Sequence, residues 1–188
     1  MANVILFAPQ RFGDTRGWFT ETFNARRDAK IGIDVQFCQD NLSCSILANT
    51  IRGIHFQRPP HAQAKLVRCG RGRLIDYAID LRVGSPSYGH HLAAELTAEN
   101  GRQLFIPIGF GHAFVTLEPD TEINYKVTDH YEPRSDGGIR WDCPNLAIEW
   151  PLLGPAILSD KDLALPTLAD FDSPFIYDGV PMTLVHVE

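Results

Sequence analysis

Three side chains in the stretch RGIHFQRPPHAQAK offer acid–base and anion-binding chemistry: Arg52, His55 and Lys65. An imidazole with an ordinary pKa of roughly 6.5 accepts a proton near neutral pH. Guanidinium and ammonium groups bind phosphates or neutralise negative charge. No Asp or Glu occurs from Asn41 to Ile75, whereas Arg52, Arg58, Lys65, Arg68, Arg71 and Arg73 all fall there. Unless the C-terminal part of the chain supplies acidic partners, these cations either point to solvent or hold an anion. A histidine by itself is ordinarily structural; the company of Arg52 and Lys65 sets His55 apart.

The elements that must carry these groups read as short strands and turns. An apolar run at 4–7 reads as a strand, RFGDTRG as a turn, and FTETF as strand and turn with Phe19 and Phe23 on one side. Asn24 is placed to cap a short helix, ARRDAKI, and Gly32 to end it through a left-handed backbone. Strands are predicted at 35–39 and 51–57, the latter stopped by Pro59 and Pro60. The segments 65–69 and 73–81 alternate in polarity around Gly70, Arg71 and Gly72, which predicts a hairpin. Further strands follow at 90–96, 102–107, 112–117 and 121–128, separated by GSPSYG, TAENG, IGFG and EPD. Alternation in the last of these groups Tyr125 with Thr121, Ile123 and Val127 on the inward face. No ten-residue stretch here has a helical period, so the expected class is all-β: an antiparallel sandwich or jelly roll with a few short helices. With no repeat, linker or second core in sight, residues 1–188 are expected to form a single domain.

Composition narrows the function. Seventeen basic against twenty-three acidic residues give a net charge of -6, which argues against broad phosphate neutralisation and hence against nucleic acid as a partner. Cys38, Cys44, Cys69 and Cys143 form no CxxC pair, as expected of free thiols in a reducing cytoplasm. The first ten residues place no basic region ahead of their apolar run, and no stretch approaches roughly 18 consecutive apolar residues, so neither export nor membrane insertion is expected.

GRQLFIPIGFGHAFVT places Gly101, Pro107, Gly109 and His112 at a spacing that resembles the second motif of the cupin jelly-roll family. Its physical sense is a turn at Gly109 that delivers His112 into the barrel mouth, as a metal ligand or a polar contact. Thr116 stands where metal-binding cupins usually carry Asn, and no close HxH pair accompanies it. No metal is therefore expected, and a metal-dependent cupin enzyme using His55, His61 and His112 is the competing class.

DTRGWFTETF, FCQDNLSCS, IRGIHFQRPPHAQAKLVRCGRG, DLRVGSPSYG, LFIPIGFGHAF, YKVTDHYEP, GIRW and LSDKD together resemble, in order and along nearly the whole chain, the dTDP-4-dehydrorhamnose 3,5-epimerase family. The resemblance implies a homodimeric jelly roll that needs no metal or organic cofactor. Its implied substrate is a dTDP-linked 4-keto-6-deoxy sugar, inverted at C3 and C5 on the way to dTDP-rhamnose; relatives that invert only C3 are the nearest alternative. By similarity His55 is the base, Asp162 the carboxylate that orients it, Lys65 the enolate stabiliser and Tyr125 the proton donor. These types suit the task, since a proton beside a ketone needs a positioned base, the enolate oxygen a cation or donor, and inversion an acid on the other face. His112 is implied in holding the sugar. Arg16, Glu21, Gln39, Asp40, Asn41, Arg52 and Lys161 are implied in nucleotide and diphosphate contacts, and Tyr131 in stacking on thymine.

Plainer roles compete: Arg16 and Glu21 as a surface pair, Gln39 and Asn41 satisfying backbone groups, Asp162 capping a helix, Tyr131 packing. Three departures stand out. Asp136 replaces a common glutamate near the nucleotide, GFGHAF replaces GFAHGF, and WDCP introduces Cys143, for which no activating base is evident.

Overall fold

The computed structural model describes residues 3–187. Its first half runs β1 (Val4–Phe7), β2 (Arg11–Asp14), β3 (Gly17–Thr20), α1 (Ala25–Lys30), β4 (Gln39–Ser45), β5 (Ile51–Gln57) and β6 (Lys65–Arg71). Then come β7 (Arg73–Asp80), β8 (His91–Thr97), β9 (Gln103–Ile106), β10 (Phe110–Thr116), β11 (Thr121–Val127), β12 (Asp136–Gly138), α2 (Asp160–Leu163) and β13 (Leu184–Val187). Six strands form one sheet, in the order β13-β1-β9-β6-β11-β4, and five form another, β12-β5-β10-β7-β8. β2 and β3 pair as a separate hairpin. Neighbours are antiparallel except β1 and β13, so the architecture is the expected all-β jelly roll with one parallel edge.

Alternating side chains fill the space between the sheets. Val67 and Cys69 of β6, Ile123 of β11 and Leu104 and Ile106 of β9 meet Leu74 and Ala78 of β7 and Phe110 and Phe114 of β10. Burying one such apolar side chain is worth about 1.5–3 kcal/mol, so this layer anchors the strands. Lys65, Asp76, His112 and Tyr125 follow the same alternation and therefore point into the same interlayer space, at the end where the apolar core gives out. The outer face of the five-stranded sheet is buried in turn beneath Ile139, Cys143, Leu146, Phe171 and Phe175. This second cover explains why β10 is buried at every position.

Asn24 caps α1 as expected, its side chain accepting from the N–H groups of Arg26 and Arg27, and Gly32 follows the helix at φ +95°. Two expectations are corrected. The segments 65–69 and 73–81 form no hairpin: β6 pairs with β9 and β11, while β7 pairs with β8 and β10 in the opposite sheet. Alternation identifies a half-buried strand but not its partner, and here the glycine-bearing link crosses from one layer to the other. The stretch 35–39 is also no strand, since β4 begins only at Gln39. Its apolar side chains have another use: Phe37 meets Phe23 edge-on at 5.3 Å, and Val35 joins the cluster over Ile5 and Phe105. Phe19 and Phe23 accordingly part company, Phe19 lying exposed and Phe23 packed.

Candidate active site

The site begins with a close approach of two strands. Gly53 sits at φ +120°, and a Cβ there would lie 2.6 Å from the His112 carbonyl oxygen and 2.7 Å from the Ala113 Cβ, so only glycine lets β5 lie this near β10. The register shifts beside it, between His112 and Phe114, and leaves His55 and His112 as cross-strand partners.

Each histidine carries its own aspartate. His55 Nε2 meets Asp162 Oδ1 at 2.6 Å, and the Gly53 N–H donates to Asp162 Oδ2 at 3.4 Å. Ser159 caps α2 by accepting the Asp162 N–H, which leaves the Asp162 side chain buried and turned to His55. The helix-capping role considered for Asp162 thus belongs to Ser159. Burial pushes the Asp162 carboxyl up, but the hydrogen bond and charge of His55 outweigh it and hold it below the ordinary carboxylate value. An ionised carboxylate only accepts, so His55 donates from Nε2 and keeps its lone pair on Nδ1.

The other pair is deeper. His112 Nε2 meets Asp76 Oδ1 at 2.6 Å, and Lys65 Nζ lies 3.4 Å from His112 Nδ1. Burial drives the His112 pKa down against the pull of Asp76, keeping the ring neutral. Burial likewise lowers Lys65 to about 8, with Asp76 and Asp136 acting in the opposite direction. The Tyr125 phenol is raised by burial, partly offset by Arg52, and so stays protonated.

A cavity of about 520 Å³ is lined by Arg52, His55, Lys65, His112, Phe114 and Tyr125 among others. A second hollow shares His55, Lys65, Tyr125 and Lys161 and extends to Gln39, Asn41, Tyr131 and Asp136. There the Tyr131 hydroxyl donates to Asp136 Oδ2 at 3.2 Å, and Lys161 pairs with the same carboxylate. Arg52 spans the cavity edge, donating to the Cys44 carbonyl at 3.0 Å and to Ser45 Oγ at 3.3 Å.

Three of the expected contacts stand apart from this space. Arg16 pairs with Asp14 on the exposed β2–β3 hairpin, Glu21 accepts from Asn24 and pairs with Arg27, and Asp40 pairs with Lys126 at 2.7 Å. The basic span divides as well: Arg52 and Lys65 face the cavity, while Arg73 pairs with Glu95 and Arg58 lies over Phe171. Among the described residues no group of three His, Cys, Asp or Glu side chains is placed to hold a metal ion. His61 pairs instead with Asp129 at 3.3 Å, and Thr116 Oγ1 donates to the Leu47 carbonyl.

The family model described as dTDP-4-dehydrorhamnose 3,5-epimerase matches residues 1–170. A Sinorhizobium fredii dTDP-4-dehydrorhamnose 3,5-epimerase is 49% identical over 177 residues, covering 94% of this chain and 91% of its own. A Legionella pneumophila dTDP-6-deoxy-D-glucose-3,5-epimerase, solved in complex with dTDP-4-keto-L-rhamnose, superposes with a TM-score of 0.87 at 38% identity, covering 94% of this chain and 100% of its own. The chain belongs to the dTDP-4-dehydrorhamnose 3,5-epimerase family. Its activity is that of an isomerase acting on a sugar nucleotide. A 3'-monoepimerase from Streptomyces bikiniensis is also similar, at 32% identity and a TM-score of 0.83, covering 89% of this chain and 84% of its own.

Within this epimerase the sequence departures find plain positions. Ala113 is fully buried in the outer cluster, on the opposite side of β10 from His112. Cys143 is buried beneath the C-terminal segments, its sulfur accepting the Leu168 N–H at 3.2 Å. Asp136 reaches both Lys161 and Tyr131. The one acid–base neighbour that sequence reasoning missed is Asp76. Its signal lies in RLIDYAID, where alternation groups an aspartate with Leu74 and Ala78 on a core-facing side.

Proposed function

We propose that this epimerase inverts C3 and C5 of dTDP-4-dehydro-6-deoxy-D-glucose, with His55 as base and Tyr125 as acid. His55 Nδ1 takes the proton from the carbon beside the ketone, and the resulting imidazolium is stabilised by Asp162. The electron pair moves onto the C4 oxygen, where the Lys65 ammonium neutralises it. Tyr125 returns a proton to the carbon from the other side, and solvent restores both groups before the second carbon reacts. The observation that carries this reading is the disposition of the pair across one cavity: His55 stands on β5 of the five-stranded sheet and Tyr125 on β11 of the six-stranded sheet. Opposed sheets suit opposite-face protonation.

We assign the diphosphate to Arg52 and Lys161, which line the cavity, and stacking on the base to the exposed Tyr131; Gln39, Asn41 and Asp136 border the adjoining hollow with Tyr131. Arg16, Glu21 and Asp40 line neither hollow in one chain. We assign them to a homodimer, in which a second copy seats the hairpin that exposes Phe12, Trp18 and Phe19. Among the described residues no helix is long and apolar enough to cross a membrane, and all four cysteines are free thiols. That thiol state supports a reducing, cytoplasmic setting.

Proton NMR of the protein with dTDP-4-dehydro-6-deoxy-D-glucose in deuterated water tests the reaction. Loss of both the C3 and C5 signals is expected. Loss of C3 alone would assign a monoepimerase, and loss of neither would overturn the reading. Exchange that disappears on chelation, together with stoichiometric iron, manganese or zinc, would return the metal-dependent alternative.

A further inference from the structure

Two acids on β7 face different fates. Asp80 has both oxygens saturated: Oδ1 accepts from the Arg82 backbone and Nε, and Oδ2 from Arg82 Nη2, Ser85 Oγ and Ser87 Oγ. Asp76, four residues earlier and equally inaccessible at 0% exposure, has a partner only for Oδ1; its Oδ2 is buried without any. An acid kept for the fold is satisfied as Asp80 is, because an unpaired buried oxygen is costly. Asp76 therefore requires another reason, and it lies next to His112 and Lys65.

We propose that Asp76 is a positioning residue that keeps the Lys65 ammonium charged and in place through His112. Two effects combine. Because Asp76 can only accept, it fixes the His112 proton on Nε2 and turns the Nδ1 lone pair, not an N–H, toward Lys65 Nζ. Its negative charge also favours the protonated amine in a place where burial works against it. The inference rests on Lys65 as the group that neutralises the enolate.

The remaining groups around Lys65 do not replace Asp76. Asp136 of β12 helps in the same direction, but it is shared with Lys161 and Tyr131. Arg52 of β5 and Lys161 of α2 are cations and oppose a further positive charge. Tyr125 of β11 is neutral, and the charge of Asp162 is taken up by His55.

The pH profile of kcat for the full-length epimerase, wild type against Asp76→Asn, tests this. Asparagine keeps an oxygen for the His112 N–H and removes the charge. In the wild type the alkaline limb should fall near the Lys65 value of about 8, since the working form is the ammonium. In Asp76→Asn that limb should move down by roughly one to two pH units, with kcat at the new optimum within about tenfold of wild type. Added to Lys65→Met, Asp76→Asn should cost nothing further. A folded Asp76→Asn enzyme whose limb stays in place overturns the proposal, as does full additivity with Lys65→Met. Should Asp76→Asn not fold, Asp76→Glu decides: retained charge predicts an unmoved limb even if kcat drops, and a limb displaced downward refutes it. If Lys65→Met itself turns over normally, the role of Lys65 fails instead, and the two failures are thus told apart.

Discussion

His55 and His112 face each other across β5 and β10, each with Nε2 2.6 Å from an aspartate, yet the free edge of each ring meets a different environment. His55 is half-buried on the cavity wall, so its Nδ1 is available to a ligand. His112 is buried, and its Nδ1 is already occupied by Lys65. The aspartates differ to match. Asp162 arrives from a helix 107 residues along the chain, with Ser159 and the Gly53 N–H setting its position. Asp76 comes from the strand beside β10 and is fixed by the sheet itself. In the proposed mechanism the same pair of residue types thus makes a base where one ring nitrogen is open and a charge-setting support where it is closed.

The largest expected effect breaks the open pair. His55→Ala removes the proposed base while leaving the buried pair intact, and kcat should fall by roughly 10²–10⁴-fold. The thermal midpoint should fall as well, because the buried Asp162 Oδ1 loses its partner on His55 Nε2. Activity near wild type in steady-state assays would show that the base lies elsewhere. Asp162→Asn should be next, with kcat down by about 10²-fold and KM nearly unchanged. The amide no longer stabilises the imidazolium and can present its NH₂ to Nε2, which moves the ring proton to Nδ1. An equal rise in KM would instead mark Asp162 as a ligand contact.

Gly53→Ala strikes both pairs together. The added methyl would meet the His112 carbonyl at 2.6 Å on a backbone at φ +120°. Overpacking and backbone strain should cost about 2–4 kcal/mol. Calorimetry should show that loss, and kinetics a fall in kcat, because the His55–His112 register depends on the close approach. A variant with normal kcat would show that the strands need not be so near.

Much of this was legible in the sequence, for unequal reasons. Alternation in TEINYKVT identified β11 and the inward face of Tyr125, and Asn24 with Gly32 marked α1. These are local rules, read within one element. Sheet partnership is not local: β6 and β7 carry the same alternation as a hairpin and yet belong to opposite sheets. Asp162 meets His55 through a contact that no spacing encodes, and only the motif resemblance tied LSDKD to RGIHF. For Asp76 the signal is ambiguous: alternation groups it with Leu74 and Ala78, and only the second layer that covers β7 makes that face the core.

The smallest effect separates the two faces of β10. Ala113 follows His112, but alternation turns its methyl away from the cavity into the cluster with Ile54, Tyr77 and Ile79. Ala113→Gly removes one buried methyl, worth about 0.8 kcal/mol, and adds the backbone entropy of a glycine in a strand, roughly 0.5–1 kcal/mol. The sum is about 1–2 kcal/mol, a drop of roughly 2–8 °C in Tm for a chain of this size. The kcat and the pH profile should not move, because the lost methyl touches neither pair. If kcat shifted while Tm held, packing behind β10 would be setting the angle of His112, and the independence of the strand's two faces would be lost.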